Sequence, residues 1–458
     1  MPAENPIRLP LVAVPSNRDS STAKDAKLVN CYAQKDDAGE YQIYKRPGLL
    51  TYQTLSGDGG GTYNWLGDIY SAFGTTLYKN GVALAGVIDG TNGKYAFSQC
   101  QGATPKLIFG NGVKAYTYNT ASGIVQITDI DFPASFVKGW AYLDGTTYVM
   151  DANAKIYGSG INDPQTWTAL NTIVANSDTG NGVALAKQLI YVIAFKQWNT
   201  EVFYDQANPT GSPLGAAQNA MIMWGCANAD SIQDADGVLY WVAINRSSEL
   251  QVMAMENLAA KAVSTKAVER LLDNVDYSNV YSWYLRDMGY KFYGLTFPNS
   301  NLTLVYDISE NLWHQWVDVD GNYFKAISQV AAPGLKHIFQ HATNGKLYYA
   351  DLGYYNDDGA IITVDIVTPN FEGPSRRRKT ASMLEVLADK QVGSELLIRN
   401  SDDDYGTWSN FRRVNLGLKR PCLTNCGTFV RRAYNLRHQS NTSFRIRAIE
   451  LQLDEGTL

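Results

Sequence analysis

The side chains of this 458-residue chain best suited to hold a metal or relay protons are four histidines and five cysteines. His337 and His341 lie four apart, so on a strand they share a face and could share a metal ion. No third ligand is evident, and His314 and His438 stand alone; the pair is expected to be ordinary polar residues between blades or on the surface. Cys422 and Cys426 lack the second pair that a zinc ribbon requires. With Cys31, Cys100 and Cys226 they form an odd, scattered set, unlike a disulfide framework, which favours assembly in a reducing cytoplasm. Asp318, Asp320 and Asn322 around Gly321 resemble the start of a calcium loop, but the bidentate acid that should close it is missing, and a hairpin turn is expected. Neither a Gly-x-Ser-x-Gly elbow nor a P-loop occurs, so acyl transfer and nucleotide hydrolysis have no foothold. No catalytic residue, cofactor or metal is expected.

Two further patterns bear on surfaces. Ser401-Asp402-Asp403-Asp404-Tyr405-Gly406-Thr407-Trp408 resembles the Asp-box turn, in which Ser, Asp, Gly and Thr-Trp fold a hairpin through local hydrogen bonds. The motif is common in sialidases, so a sialidase-like or glycan-binding propeller is the alternative functional class. Here Tyr405 replaces the usual Gly, and a structural turn is expected. Basic residues gather near the C-terminus, and Arg376, Arg377, Arg378, Lys379, Arg431 and Arg432 are the candidate partner-binding set. They could contact phosphates or an acidic protein; sparse aromatic interleaving argues against sequence-specific nucleic-acid recognition. Residues 374–458 hold 15 Lys and Arg against 9 Asp and Glu, a net of +6 within a chain of net −5, leaving −11 for the rest. Such a split marks an interaction surface or a solvated face.

The elements that would carry these residues are strands. The composition is 45% hydrophobic, 12% aromatic and 18% charged, with 29 Tyr, 10 Trp and 39 Gly, which suits pleated, half-buried surfaces joined by tight turns. Asn80-Gly81, Asp144-Gly145, Asp236-Gly237, Asp320-Gly321 and Asn344-Gly345 interrupt apolar runs as type I′ hairpin turns do. Grouping the hairpins gives units near 62–90, 93–130, 135–170, 178–206, 224–265, 277–318 and 323–352, the length of four-stranded propeller blades. The expectation is an all-β fold: a propeller of six or seven blades over 51–358, with a stacked sandwich as the alternative. A C-terminal β-sandwich-like domain is expected over 359–458, with residues 1–50 as an arm packing against it. One helix is expected from Thr265 to Asp273, capped by Thr265 and bridging two blades. No signal peptide and no membrane-spanning segment is expected; the longest nearly apolar run, Val183 to Phe195, is too short and contains Lys187.

Four segments resemble the tail hub or nozzle proteins of short-tailed bacteriophages, the packaged-DNA stabilisation family. They are Val29-Asn30-Cys31-Tyr32-Ala33 with Arg46-Pro47-Gly48-Leu49; Glu201-Val202-Phe203-Tyr204 with Trp224-Gly225-Cys226-Ala227 and Ser231; Leu304-Val305-Tyr306-Asp307 with Trp313 and Trp316; and the turn at Trp408 with Arg431-Arg432 and the last strand to Leu453. The resemblance implies a structural virion protein and not an enzyme, assembled in the host cytoplasm into a homohexameric ring below the portal and adaptor. It would help retain packaged DNA and form the ejection channel, passing double-stranded DNA without sequence specificity. Tail fibres or tailspikes, and a plug or needle, would dock on it.

Overall fold

The computed structural model describes residues 6–11, 26–91, 93–217, 219–287, 289–332, 334–373 and 375–455. Its hairpins follow from the turn chemistry. Asn80-Gly81, Asp144-Gly145 and Asp236-Gly237 all hold positive φ at both residues (47° and 81°, 46° and 87°, 55° and 87°), the backbone a two-residue turn needs to match strand twist.

The hairpins group into seven blades among the described residues, four-stranded except blade 5, which adds a short fifth strand, and each built from consecutive segments except the last. Blade 1 spans residues 59–83, blade 2 96–126, blade 3 141–174, blade 4 182–216, blade 5 225–262 and blade 6 281–315. Blade 7 takes three strands, Ala326–Ala332, Leu335–His341 and Lys346–Asp351, and borrows its fourth, Gly48–Thr54, from near the other end of the chain. The first strands of successive blades lie side by side around a ring, and blade 7 closes on blade 1. The upper of the two expected blade counts therefore holds. Gly48–Thr54 straddles residue 50, so the fourth strand of blade 7 begins within the segment read as an arm. Its entry requires a glycine: a Cβ on Gly48 would lie 2.4 Å from the Asn356 carbonyl oxygen and 2.7 Å from that of Tyr354.

Neighbouring blades are glued by apolar side chains from facing sheets. Phe195 of blade 4 meets Trp241 of blade 5 edge-on, and Trp283 of blade 6 meets Phe339 of blade 7 at 90°. These rings are fully buried, and each such aromatic contributes roughly 1.5–3 kcal/mol through removal from water. The helix Lys266–Leu272 follows blade 5, capped by the Thr265 hydroxyl, which accepts from the Val268 amide; Val268 and Leu272 pack in the core shared by blades 5 and 6.

The rest of the described chain forms two sheets around one core. The first holds Ile7–Arg8, Cys31–Lys35, Tyr41–Lys45, Lys379–Ala388 and Arg445–Glu455, with Cys422–Thr424 and Thr428–Phe429 at its edge. The second holds Lys27–Val29, Val364–Val367, Glu395–Ser401, Arg412–Asn415 and Ala433–His438. Leu28, Ile43, Ile366, Leu384, Leu436 and Ile449 meet between them. The N-terminal strands are thus members of both sheets. The second sheet also continues into blade 6, because Lys27–Val29 pairs on one edge with Val364–Val367 and on the other with Leu312–Gln315.

Arg46 locks this junction. Its Nε donates to Asn30 Oδ1 (2.9 Å), Nη1 to the Pro47 carbonyl (3.0 Å) and Asp357 Oδ1 (3.0 Å), and Nη2 to the Val317 carbonyl (3.2 Å) and Asp357 Oδ2 (2.5 Å). All five guanidinium donors are used, and the side chain is 0% exposed. Asn30, at φ 56°, also accepts from the Val317 amide and donates to the Thr363 carbonyl. One residue pair thereby ties the sandwich to blades 6 and 7.

Candidate functional site: the basic edge and the propeller axis

The candidate basic residues come together at one edge of the two-sheet domain, but they do different work. Arg376, Arg377 and Arg378 are exposed, in the bend before Lys379–Ala388. Glu372 pairs with Arg376 at 3.4 Å and with Arg431 at 3.5 Å, and Arg431 also pairs with Asp404 at 2.8 Å. At this exposure such pairs are worth no more than about 1 kcal/mol each, so they do not hold the arginines against a better partner. Among the described residues Arg377 and Arg378 carry no ion pair, and Arg412, Arg413, Lys419 and Arg420 extend the exposed basic set.

Lys379 and Arg432 are not presented to solvent. Lys379 is 0% exposed, and its ammonium donates to the carbonyls of Ser375 and Arg377, closing the bend that displays the three arginines. Arg432, 3% exposed, forms a bidentate pair with Asp402 at 2.6 and 2.7 Å, donates to the Cys426 carbonyl and stacks on Phe429 at 4.3 Å. The backbone here forms two separate strands, Thr428–Phe429 and Ala433–His438, with an isolated bridge from Arg432 to Phe371 between them. Nothing in the spacing Arg431-Arg432 separates the exposed side chain from the buried one.

Asp402 belongs to the expected turn. Asp403 Oδ1 accepts from the Ser401 hydroxyl (2.8 Å) and the Thr407 amide (2.8 Å), Oδ2 from the Thr407 hydroxyl (2.6 Å), and Ser401 Oγ from the Tyr405 amide (3.0 Å). The Thr407 and Ser401 donors hold the Asp403 carboxyl down at about 2. Tyr405 sits at φ 65° where a Gly would be unstrained, and its ring packs with Val367 and Ala433 while its hydroxyl donates to the Thr368 carbonyl. The motif is a structural turn beside the basic edge.

The second concave feature lies on the propeller axis, a cavity of about 320 Å³ lined by residues at or next to the first strand of all seven blades. Two cationic struts cross it. Lys94, ahead of blade 2, donates to the Val280 carbonyl at the entry to blade 6 (2.6 Å), with its ammonium 4.4 Å from the Tyr281 ring centre. Lys138, ahead of blade 3, pairs with Asp230 of blade 5 at 2.7 Å. Burial pushes Lys94 down to about 8, with Asp230 opposing and Lys138 reinforcing the shift. The sequence offered no signal for these three: Lys94 and Lys138 lie in irregular segments ahead of their blades, and Asp230 in a single 3₁₀ turn after the first strand of blade 5.

Of the remaining candidates, His314 is buried with neither ring nitrogen hydrogen-bonded among the described residues, and the others have local partners. His341 Nδ1 accepts from the Thr343 and Asn344 amides, and His337 Nδ1 bonds Gln329 Nε2 at 3.0 Å. His438 Nε2 bonds Ser394 Oγ at 2.9 Å. Asp318 Oδ1 accepts from the Asp320 and Asn322 amides, which makes that segment a hairpin turn. All five cysteines are unbridged thiols.

Taken together, the strand order defines the protein's class: a β-propeller closed by an N-terminal strand and carried on a two-sheet platform built from both ends of the chain. Residues 8–353 match the family described as "Bacteriophage P22 Gp10, beta-propeller", and the chain belongs to that family, making it a structural component of a phage tail. No curated protein matches the sequence. Among solved structures, a streptogramin B lyase is similar at 8% identity over 67% of this chain and 97% of that one, with a TM-score of 0.41. Virginiamycin B lyase from Staphylococcus aureus gives 9%, 65%, 97% and 0.42. The extracellular domain of a one-component system from B. thetaiotaomicron gives 9% identity over 86% of this chain, a TM-score of 0.45, and 58% of that chain's length covered. These likenesses are weak and carry no functional inference.

Proposed function

We propose that the protein is the hub or nozzle of a short phage tail, a ring of six copies attached below the portal and adaptor that helps retain packaged DNA and forms its exit channel. The observation that carries the reading is the family match over residues 8–353. The size of the axial cavity supports a channel that lies outside any one propeller. A cavity of about 320 Å³ is the size of a small-molecule pocket, too small for a duplex whose major groove alone is about 12 Å wide, and Lys94 and Lys138 cross it. The duplex therefore passes between copies, along the ring axis, and not through any one propeller.

Charge supports the same arrangement. An acidic body of net −11 repels phosphates, so DNA slides without sequence-specific adhesion, while the basic edge at Arg376, Arg377, Arg378 and Arg431 faces an acidic neighbour in the adaptor. Tail fibres or tailspikes and a plug or needle take the remaining surfaces. Light scattering and negative-stain microscopy of the purified protein, alone and with DNA-filled tailless heads, test this. Rings, or density capping the portal vertex with DNA retained, support it. A persistent monomer without affinity for heads overturns it.

A further inference from the structure

We infer that the propeller axis is a binding site for a compact oxyanion, held between Lys94 and Lys138. Among the described residues lining it, the cavity carries two ammonium groups and one carboxylate, Asp230, so its walls have an excess positive charge. The other polar side chains lining it are largely spent on each other or on nearby residues. Thr62 Oγ1 bonds Ser328 Oγ at 3.0 Å, Gln233 Nε2 donates to Ser282 Oγ and its carbonyl, both at 3.1 Å, and Gln329 Nε2 bonds His337 Nδ1 at 3.0 Å. The lysines are different. Each ammonium has three donors, and each gives one to its strut, Lys94 to the Val280 carbonyl and Lys138 to Asp230. Donors and net charge left over in a partly desolvated space are what an anion satisfies, and 320 Å³ is the scale of a small-molecule pocket. Burial also disfavours the charged form of Lys94, a cost that a bound anion removes.

The site differs from the exposed basic edge, where phosphates of a polymer could approach; only a free, compact anion enters here. Inorganic phosphate is the probe, measured by isothermal titration against the intact protein in a chloride buffer of matched ionic strength. Saturable binding with one site per chain is expected. Lys94→Met should weaken it at least tenfold. Asp230→Asn removes the competing carboxylate and should tighten it several-fold, an outcome that a purely structural strut does not give. Arg377→Glu at the basic edge should leave binding unchanged, and circular dichroism confirms that each variant is folded. No saturable binding by the parent protein, an unchanged affinity in a folded Lys94→Met variant, weaker binding in a folded Asp230→Asn variant, or loss of binding in Arg377→Glu would each overturn the inference.

Discussion

Replacing Arg46 with Met removes the centre of the junction between platform and propeller. The Asp357 carboxylate, 14% exposed, loses its counterion, and Asn30 Oδ1 and the carbonyls of Pro47 and Val317 lose a donor. Breaking one side of a buried pair costs about 3–5 kcal/mol, because the stranded charge keeps its desolvation penalty. Arg46→Lys keeps the charge but not the planar fork, and with three donors in place of five it should fall in between, near ~2 kcal/mol. The double variant Arg46→Met with Asp357→Asn no longer strands a charge and should recover at least about 1 kcal/mol relative to the first. Urea unfolding followed by tryptophan fluorescence reads this directly, since Trp316 lies 5.7 Å from the guanidinium carbon. A cost below about 1 kcal/mol for Arg46→Met, or a cycle additive to within about 0.5 kcal/mol, would refute the role given to the pair.

Three other expectations follow from particular side chains. Burial raises the Asp307 carboxyl from 3.8 to about 6, with its Oδ2 unpartnered, so its protonated form stabilises the fold fully below pH 3.8 and that contribution is lost as pH rises through 6. Asp307→Asn should therefore raise the unfolding free energy at pH 8, by up to ~3 kcal/mol for a shift of about two pKa units, as urea unfolding reads it, and the gain should vanish at pH 4; equal gains at both would contradict the assignment. Tyr405→Gly relieves a left-handed residue worth ~1 kcal/mol but empties a buried ring site worth ~3 kcal/mol, so the melting temperature should fall; a rise would show that the strain dominates. Charge reversal of Arg376, Arg377 and Arg378 to Glu should leave the melting temperature within a degree or two while weakening attachment to tailless heads at the portal vertex, and normal attachment would exclude that edge as the contact.

The propeller was legible because its signals are local. Asn80-Gly81, Asp144-Gly145 and Asp236-Gly237 hold positive φ at both residues, although Asp320 and Asn344 do not, while alternating apolar runs favour strands and their spacing marks out blades. The Thr265 cap is equally local. Closure was not legible. Gly48–Thr54 finds Lys346–Asp351 across some three hundred residues, and no periodicity in either strand names the other. The same holds for the N-terminal strands that complete both platform sheets. Charge is the clearest case: Arg431 and Arg432 are adjacent and chemically identical, yet one faces solvent beside Glu372 and the other is buried on Phe429. Sequence sets what each segment prefers within a few residues. Which strands pair, which cations are desolvated, and that Lys94 and Lys138 meet on one axis, are set only when the ring closes and distant backbone comes within hydrogen-bonding reach.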